Sequence, residues 1–557
     1  MTAMFDTDRK FWGWGVASFR FPPPALQRVR AFLEARFGAP LPEPWAPPTL
    51  ESLRMPAPVL AAPGEFAGIA SSERYHRAAH TYGKSFRDIV RALDGDFSGA
   101  PDFVAYPRDE TDVLRILRWA DDARVAVIPF GGGSSVVGGV EVAREMRARY
   151  AGVVTIDLCR LDKVLAVDRE SRSVRVQGGT YGPSLEAQLR PHGYTLRHFP
   201  QSFEFSTVGG WIATRAGGHY ATNYTHIDDF VQSTRMVTPQ GVLETRRLPG
   251  NGAGPQEDRL VLGSEGVFGV ITVAWLRVQD APRFRAGCSV TFETFAAGAA
   301  ACRTRAQSGL FPANARLIER DEVAFMGAGD GRHHLLVLGF ESATMPQDDK
   351  LHAALEICAV HGGQAGKASR VGGVPGGPSD GPTVAGTSGA SGAPAASAAD
   401  TWKQSFMQAP YLRDELVRMG MICETFETCT TWANFQALDD AVRAAARQAI
   451  DAHCAGKGVV TCRYTHLYPD GPAPYYTVLA PSRRGRQLEQ WDAIKAAVSR
   501  ALIDNGATIT HHHAVGRTHR PWYDRERPDL FAASLRAVKR ALDPASVLNP
   551  GVLIDPE

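Results

Sequence analysis

The residues best suited to chemistry by type and spacing are five small ones in a row, Gly131–Ser135 (Gly-Gly-Gly-Ser-Ser), directly after Pro129-Phe130. Residues without bulky side chains let successive backbone N–H groups converge on an anion, and the two serine hydroxyls add donors. The run lacks the third glycine of a nicotinamide-binding loop and the lysine of a P-loop. It therefore predicts a pyrophosphate site of a different kind.

Two further segments of small residues follow within the next 140 positions. One runs from Phe205 to Gly218, and the other from Leu262 to Thr272. A single glycine-rich run is often only a surface turn, but three in one region favour a shared ligand site. We therefore expect the three segments to meet around one cofactor.

Three consecutive histidines, His511–His513, are the third candidate for chemistry. The β-prone residues 507–510 before them predict a strand, on which His511 and His513 would face one way and His512 the other. One ion could not then bind all three side chains, so we predict no metal site. Imidazoles titrate near neutral pH, and we expect them to transfer protons or to bind phosphate.

The elements that must position these residues alternate between strands and helices, which predicts an α+β protein. Apolar residues recur at helical spacing from Val113 to Ala120, and Pro183 can begin a helix at its first turn. The predicted strands are residues 103–105, 124–128, 153–156 and 288–292, with a hairpin at 164–176. The predicted helices near the C-terminus are residues 487–504 and 530–542.

These patterns predict four regions. Residues 1–99 are rich in proline and predict an extended and helical strap. Residues 100–282 carry the glycine-rich segments and form the cofactor domain, residues 283–515 form a substrate (cap) domain, and residues 516–557 form a helical C-terminal segment. Residues 362–399 contain no Leu, Ile or aromatic residue, so we predict a disordered insert in the cap domain.

Composition narrows the range of partners. Lys and Arg number 61 against 59 Asp and Glu, which gives no electrostatic basis for wrapping nucleic acid. The eight cysteines contain no CxxC pair, so we expect a reduced protein without a zinc ribbon. We find no secretory signal, no run of roughly 18 apolar residues and no C-terminal peroxisomal address, and we expect a cytoplasmic protein.

The glycine-rich segments resemble the FAD-contacting segments of the vanillyl-alcohol-oxidase and p-cresol-methylhydroxylase type (VAO/PCMH) flavoproteins. The resemblance rests on residues 128–136, 204–215 and 263–266. Within that superfamily the chain resembles the alkyldihydroxyacetonephosphate synthase family. That narrower resemblance rests on residues 12–15, 315–317, 411–414 (Tyr-Leu-Arg-Asp), 424–428 (Glu-Thr-Phe-Glu-Thr) and 511–516. These segments span nearly the whole chain in the family's order.

The resemblance implies an α+β protein with a two-domain FAD-binding fold of the PCMH/VAO type and an α+β substrate cap domain. It also implies FAD as the cofactor. We expect the flavin to be non-covalent, because Gly131–Ser135 offers neither the His nor the Cys that carries covalent flavins in the superfamily. The cofactor-binding residues carried over by motif are Pro129, Phe130, Gly131, Gly132, Gly133, Ser134, Ser135, Ser206, Thr207, Gly209, Gly210, Ala213, Thr214, Glu265, Gly266 and Ile271.

The implied reaction is ether-lipid synthesis, in which the acyl group of acyl-dihydroxyacetone phosphate is exchanged for a long-chain alcohol without net oxidation. Tyr475 would be the acid/base, His511, His512 and His513 would assist proton transfer, and Arg316 and Arg413 would bind the phosphate. The partners would be these lipid substrates. Peripheral contact with a membrane surface and assembly as a homodimer are left open.

Taken without the resemblance, the same residues are ordinary. A lone arginine is more often a solvated ion pair, and a tyrosine in a β-prone run such as 473–478 is more often part of the core. The Ala473-Pro474 context leaves Tyr475 and Tyr476 both open as the acid/base. An FAD-dependent oxidoreductase acting on a 2-hydroxy acid such as lactate or glycolate is the alternative function, since one fold hosts several chemistries. A binding module without turnover ranks last.

Overall fold

The protein is described by a computed structural model over residues 9–219, 224, 226–329, 331–371 and 398–556, with backbone only at 398–404. The first hundred residues carry little regular structure. Helix α1 begins at a proline and is followed by Gly38, whose left-handed φ of 62° ends the helix. The elements of this region are α1 (Pro23–Phe37), β1 (Ala70–Ser71), α2 (Arg74–Ala79) and α3 (Phe86–Leu93).

The next region forms a four-stranded sheet in the order β1-β2-β4-β3, in which β2, β3 and β4 are parallel. Helix α4 covers this sheet with the apolar stripe that the sequence predicts, and Asp109 caps its first turn. The elements are β2 (Phe103–Ala105), α4 (Glu110–Ala123), β3 (Ala126–Phe130), α5 (Arg144–Arg147) and β4 (Val153–Asp157).

A five-stranded antiparallel sheet follows, in the order β5-β6-β10-β8-β9, and β7 pairs with β11 beside it. The strands are β5 (Val164–Asp168), β6 (Ser173–Gln177), β7 (Tyr194–Thr195), β8 (Val231–Thr238), β9 (Gly241–Glu244), β10 (Val270–Arg277) and β11 (Gln279–Asp280). The helices are α6 (Gly182–Leu189), α7 (Val208–Thr214) and α8 (Asp258–Val261). Pro183 lies in the first turn of α6, as predicted.

The remaining sheet has the order β15-β12-β14-β13-β18-β19-β17, and β16 also pairs with β12. Its strands are β12 (Phe284–Phe292), β13 (Asn314–Ile318), β14 (His334–Ser342), β15 (Gln364–Ala365), β16 (Ser369–Val371), β17 (Met421–Glu427), β18 (Val459–Leu467) and β19 (Pro472–Pro481). The associated helices are α9 (Phe295–Ala306), α10 (Arg320–Phe325), α11 (Asp348–Val360), α12 (Ala398–Arg418), α13 (Phe435–His453) and α14 (Gln487–Asp504).

Side chains alternate between the two faces of this sheet along β18 and β19. Cys462 and Tyr476 pack under α13 and α14 in the apolar core. Their neighbours Arg463 and Tyr475 line a large cavity on the opposite face. The period of two in a strand therefore decides which residues serve the core and which serve the cavity.

The chain ends with α15 (Arg520–Glu526) and α16 (Asp529–Leu542) and then returns to the first sheet. There, the N–H of Val127 donates to the carbonyl of Val547, and the N–H of Asn549 donates to the carbonyl of Val127. Leu548 lies in the core of that sheet. No helix in the described part of the chain has both the length and the apolar character needed to cross a bilayer.

The α+β class and the predicted helices at 487–504 and 530–542 are confirmed, and the strand predicted at 124–128 lies two residues later. The insert predicted to be disordered is partly wrong. Residues 364–365 and 369–371 pair with β12, because ladder hydrogen bonds come from the backbone and need no large side chain. Residues 398–399 belong to α12. Residues 372–397 of the predicted insert lie outside the described residues.

Candidate active site

A cavity of about 350 Å³ lies between the glycine-rich segments and the third sheet. All sixteen residues predicted to bind the cofactor line it. Of the six predicted substrate-site residues, five line it: Arg316, Arg413, Tyr475, His512 and His513. His511 is the exception and lies behind His512. The structure thus brings together residues that are separated by up to 384 positions in the sequence, from Pro129 to His513.

The loop after β3 packs so closely that it requires glycine. A Cβ atom at Gly132 would lie 1.8 Å from the carbonyl oxygen of Phe205. Gly133 has a φ of +64°, and a Cβ there would meet the ring of Phe130 at 2.2 Å. Side chains are therefore excluded from the surface where the loop faces the cavity.

The carbonyl groups of this loop are bound from behind. Arg9 donates to the carbonyl of Gly132 at 2.8 Å, and the hydroxyl of Tyr181 donates to the carbonyl of Gly131 at 3.1 Å. Within the described residues, no acceptor bonds the N–H groups of 131–135, which leaves them for the cavity. A glycine cradle with spare N–H donors fits the pyrophosphate of FAD.

The second and third small-residue segments complete this wall. Thr207 caps α7 by accepting the N–H of Gly210 at 3.3 Å. The buried carboxylate of Glu265 accepts the N–H groups of Val515 and Gly516, each at 2.8 Å. Burial raises the pKa of Glu265 to about 7, against the effect of these two bonds. Glu265 therefore ties the cofactor wall to the segment that follows the three histidines.

Tyr475 lies at the centre of the opposite wall, 5% exposed. The guanidinium of Arg463 lies 3.8 Å from the centre of its ring, and the ring of His512 stacks on it with centres 6.1 Å apart. Burial raises the pKa of Tyr475, while the charge of Arg463 and a hydrogen bond with Thr425 act in the opposite direction. Tyr476 points into the core, so among the two tyrosines only Tyr475 reaches the cavity.

The strand predicted through His511–His513 is wrong. The backbone bends there instead, because the buried carboxylate of Glu427 accepts the N–H groups of all three histidines and the hydroxyl of Thr510. The bonds from His512 and His513 measure 2.9 Å. A carboxylate 84 positions away on β17 thus overrides the local β preference.

The three imidazoles are held in their neutral form. Burial lowers the pKa of His512 to about 3 and lowers the pKa of His511 and of His513 well below its usual range. The Nδ1 atoms of His511 and His512 lie 3.0 Å apart. Nε2 of His511 lies 2.6 Å from the hydroxyl of Tyr468.

The bend also brings three histidines close enough to share a metal ion. Donor atoms of His466, His511 and His512 all lie within 4.8 Å of one another, which the predicted strand would not allow. However, Nε2 of His466 lies 3.1 Å from the carbonyl of Gly218, and its Nδ1 lies 3.1 Å from the hydroxyl of Thr465. Because both nitrogens of His466 have hydrogen-bond partners, we assign no metal to this group.

The two predicted phosphate ligands come from different elements. Arg316 on β13 is 2% exposed, donates to the carbonyl of His219 at 3.3 Å and lies over the ring of Phe406 at 4.8 Å. Arg413 on α12 contacts the buried carboxylate of Asp414 at 3.3 Å. Asp414 also accepts the N–H of Trp14, so the N-terminal region helps to position Arg413.

Sequence reasoning missed two buried ion pairs in the cavity wall. Arg463 pairs with Glu322, and Lys495 pairs with Glu424 at 2.8 Å; every member is at most 11% exposed in its side chain. Glu424 lies in the Glu-Thr-Phe-Glu-Thr motif, which supported the family resemblance without assigning a role to Glu424. The partners are 141 and 71 positions apart, and no local pattern links them.

Helix α12 carries a proline at the cavity. Pro410 has no N–H to donate to the carbonyl of Phe406, four residues earlier. Gln201, from the cofactor side, donates its side-chain amide to that carbonyl at 2.8 Å. The carbonyl that Pro410 leaves without a helical N–H donor therefore forms a hydrogen bond between the two walls of the cavity.

The comparisons with known proteins agree with this architecture. A family model described as "FAD binding domain" matches residues 101–246, and one described as "FAD linked oxidases, C-terminal domain" matches residues 281–553. A solved structure of p-cresol methylhydroxylase with substrate bound has a TM-score of 0.64 at 13% identity and shows the shared fold, covering 96% of both chains. Fold and cavity define an FAD-binding flavoprotein of the PCMH/VAO type with an α+β cap domain.

Closer relatives narrow this class. The alkyldihydroxyacetonephosphate synthase of Dictyostelium discoideum is 31% identical over 493 residues, which cover 86% of this chain and 78% of the relative. A solved structure of alkyldihydroxyacetonephosphate synthase has a TM-score of 0.77 at 26% identity and covers 98% of both chains. The chain belongs to the alkyldihydroxyacetonephosphate synthase family. It is an FAD-dependent enzyme, as predicted.

Proposed function

We propose that this protein forms an ether bond by exchanging the acyl group of acyl-dihydroxyacetone phosphate for a long-chain alcohol. The observation that carries the proposal is the composition of the large cavity between the glycine-rich segments and the cap domain. One wall is a glycine cradle that fits FAD, and the other combines Arg316 and Arg413 with the buried side chain of Tyr475 and an apolar surface. The 2-hydroxy-acid alternative needs no such apolar surface.

The arginines suit the phosphate end of the substrate. Arg316 and Arg413 both line the cavity, and a planar guanidinium can donate two parallel hydrogen bonds to phosphoryl oxygens. Asp414 and the carbonyl of His219 hold the two side chains from behind. We assign both arginines to binding and orienting the phosphate.

The apolar part of the cavity suits the hydrocarbon chain. It is lined by Phe32 of α1, Phe325, Met326, Leu412, Leu416, Val459 and Leu479. Burying one CH₂ group of a chain contributes about 0.8 kcal/mol, so a long chain supplies much of the binding energy. We assign this surface to the acyl chain and to the alcohol that replaces it.

Tyr475 suits the proton transfer at the reacting carbon. Its hydroxyl is buried at the cavity wall, where burial raises its pKa and keeps it protonated at rest, while Arg463 and Thr425 favour the ionised form that a general base needs. His512 and His513 lie beside it and can hold a proton transiently. Bound FAD supplies an electron-deficient ring that can activate the substrate carbon, with no net oxidation over a cycle.

FAD itself is expected to be released intact when the protein is denatured. Gly131–Ser135 offers no attachment point, but His512, His513 and Cys423 also line the cavity, so a direct measurement is needed. Acid precipitation should leave yellow FAD in the supernatant. Flavin that stays with the pellet would show a covalent bond.

The long chains of the substrates favour work at a membrane surface, and we propose that this surface faces the cytoplasm. Long chains leave a bilayer only at a cost of about 0.8 kcal/mol per CH₂ group. We expect the protein to sediment with phospholipid vesicles that contain hexadecanol, and a protein that stays in the supernatant would contradict this. Analytical ultracentrifugation would show whether the protein assembles as a homodimer.

The decisive assay is anaerobic incubation with acyl-dihydroxyacetone phosphate and labelled hexadecanol, without an electron acceptor. Exchange needs no acceptor, so labelled ether should accumulate over many turnovers. A 2-hydroxy-acid oxidase would instead be bleached by lactate or glycolate and would then stall. Rapid bleaching by either acid, with no ether product, would overturn the proposed function.

A further inference from the structure

A continuous row of hydrogen bonds starts at His512, the histidine that stacks on Tyr475, and leads away from the cavity. Nδ1 of His512 lies 3.0 Å from Nδ1 of His511, and Nε2 of His511 lies 2.6 Å from the hydroxyl of Tyr468. Imidazole can accept a proton at one nitrogen while it releases one from the other. The row therefore has the atoms that a proton relay requires.

The two ends of the row lie in different environments. His512 lines the cavity, whereas His511 and Tyr468 do not. Tyr468 directly follows the last residue of β18 and is partly exposed, and the next two residues, Pro469 and Asp470, are exposed. The row leads from the buried cavity to a partly exposed residue just after β18.

Glu427 gives the row a direction. Its Oε2 atom lies 3.3 Å from Nδ1 of His512, which favours a hydrogen on that nitrogen. That single hydrogen lies within reach of both the carboxylate and Nδ1 of His511, and when it bonds to His511 the other nitrogen of His511, Nε2, carries the hydrogen that it donates to the oxygen of Tyr468. Nε2 of His512 is left as the acceptor, and the rings of His226 and His466, 4.7 and 4.9 Å from His511, carry no competing charge when neutral.

The proposed reaction has a proton to export. Acyl-dihydroxyacetone phosphate and an alcohol give the ether, a fatty-acid carboxylate and one H⁺, which comes from the alcohol hydroxyl. That proton is released in a buried cavity with apolar surroundings. Without a path to water it would remain beside the reacting groups.

We propose that His512, His511 and Tyr468 form a proton wire that carries this proton from the cavity to solvent, an inference that rests on the proposed function. Nε2 of His512 takes the proton, and its Nδ1–H passes to Nδ1 of His511. The Nε2–H of His511 passes to the oxygen of Tyr468, whose own hydrogen leaves to water. One proton enters and one leaves, and no electron is transferred.

The first test needs no substrate. In protein labelled with ¹⁵N-histidine, NMR should show His512 protonated at Nδ1 and His511 protonated at Nε2, with a shared hydrogen bond between the two Nδ1 atoms. Tyr468→Phe should shift the Nε2 signal of His511. Nδ1 atoms that are both protonated or both unprotonated would overturn the wire, whatever the enzyme's substrate.

The second test measures proton release. With a pH indicator, wild-type protein should release one proton per ether bond at the rate of turnover. Tyr468→Phe should slow both by about 10-fold, less than the loss of a general acid/base, while the KM for the alcohol stays unchanged. Added imidazole should restore the rate, because a small buffer can then collect the proton from His511.

Tyr464→Phe is the matched control, since it removes a tyrosine hydroxyl from the same strand but on the face that packs in the core. FAD content and melting temperature should match the wild type in both variants. Wild-type turnover in Tyr468→Phe at every imidazole concentration would overturn the wire. Absence of ether from the wild type would instead be a failure of the proposed function, and the NMR measurement then decides the wire alone.

Discussion

The two walls of the cavity recognise their ligands by different means. The cofactor wall presents backbone N–H groups and small residues, and Arg9 and Tyr181 hold its loop from behind. The cap wall presents charged and titratable side chains, among them Arg463, Lys495 and Tyr475. Backbone recognition depends on close packing, whereas side-chain recognition depends on buried charges that need partners. The cofactor wall should therefore be most sensitive to added side-chain volume, and the cap wall to the loss of a charge partner or a hydroxyl group.

The largest expected effect concerns the hydroxyl of Tyr475, the proposed acid/base of the cap wall. Tyr475→Phe should lower ether formation by roughly 10²- to 10⁴-fold, the range for loss of a general acid/base, and leave FAD content unchanged. Tyr476→Phe is the control, because that ring lies in the core. If Tyr475→Phe keeps full activity, the proton-transfer role belongs to another group such as His512 or His513.

The next effect concerns the stability of the cap wall. Lys495→Met leaves the carboxylate of Glu424 buried without its cation, which should lower the free energy of unfolding by about 3–5 kcal/mol. The double variant Lys495→Met/Glu424→Gln should recover most of the loss in chemical denaturation. A double variant that is as unstable as the single one would show that the pair is not the cause.

The cofactor wall should respond to bulk and not to charge. Gly132→Ala places a methyl group against the carbonyl of Phe205 and should cost about 1–3 kcal/mol, seen as weaker FAD binding in a titration of the apoprotein. Gly64→Ala is the control, because a Cβ there meets nothing within 4 Å. Equal FAD affinity in the two variants would contradict the close packing.

Acid should lower the stability of the cap wall through His512. The pKa of His512 is lowered to about 3 in the folded protein, so its contribution to stability is present above the unfolded pKa of about 6.5 and is lost as the pH falls below it. Between pH 6.5 and 5 this imidazole should account for a loss of roughly 1–2 kcal/mol. His512→Gln should flatten the pH dependence of the melting temperature, and His352→Gln, which changes an exposed histidine, should not.

The smallest effect is expected from residues 372–397, which contain no Leu, Ile or aromatic residue that could pack against either wall. Deleting residues 372–397 should change the melting temperature by less than about 2 °C, since loop length costs entropy only logarithmically. Extending the deletion to residue 364 removes the pairing with β12 and should cost more. A large loss from the short deletion would show that the segment is packed.

The two walls also differed in how far the sequence predicted them. The role of Gly132 could be predicted because close packing there requires a residue without a side chain. Helix α14 could be predicted because the spacing of its apolar residues is a local property of the sequence. The conformation of His511–His513 could not, because Glu427 sets it from a distant strand. The sequence left Tyr475 and Tyr476 both open, and only the pairing of β19 with its neighbours decides between them.

The contact between Gln201 and the helix defect at Pro410 has a consequence for how this sequence can diverge. Replacing Pro410 by alanine would restore an N–H donor to the carbonyl of Phe406 and make the amide of Gln201 compete for the same acceptor. Replacing Gln201 alone would remove a hydrogen bond from that carbonyl. Loss of Gln201 should therefore cost more while Pro410 is present than after its replacement by alanine, so the two positions should be epistatic among descendants of this gene.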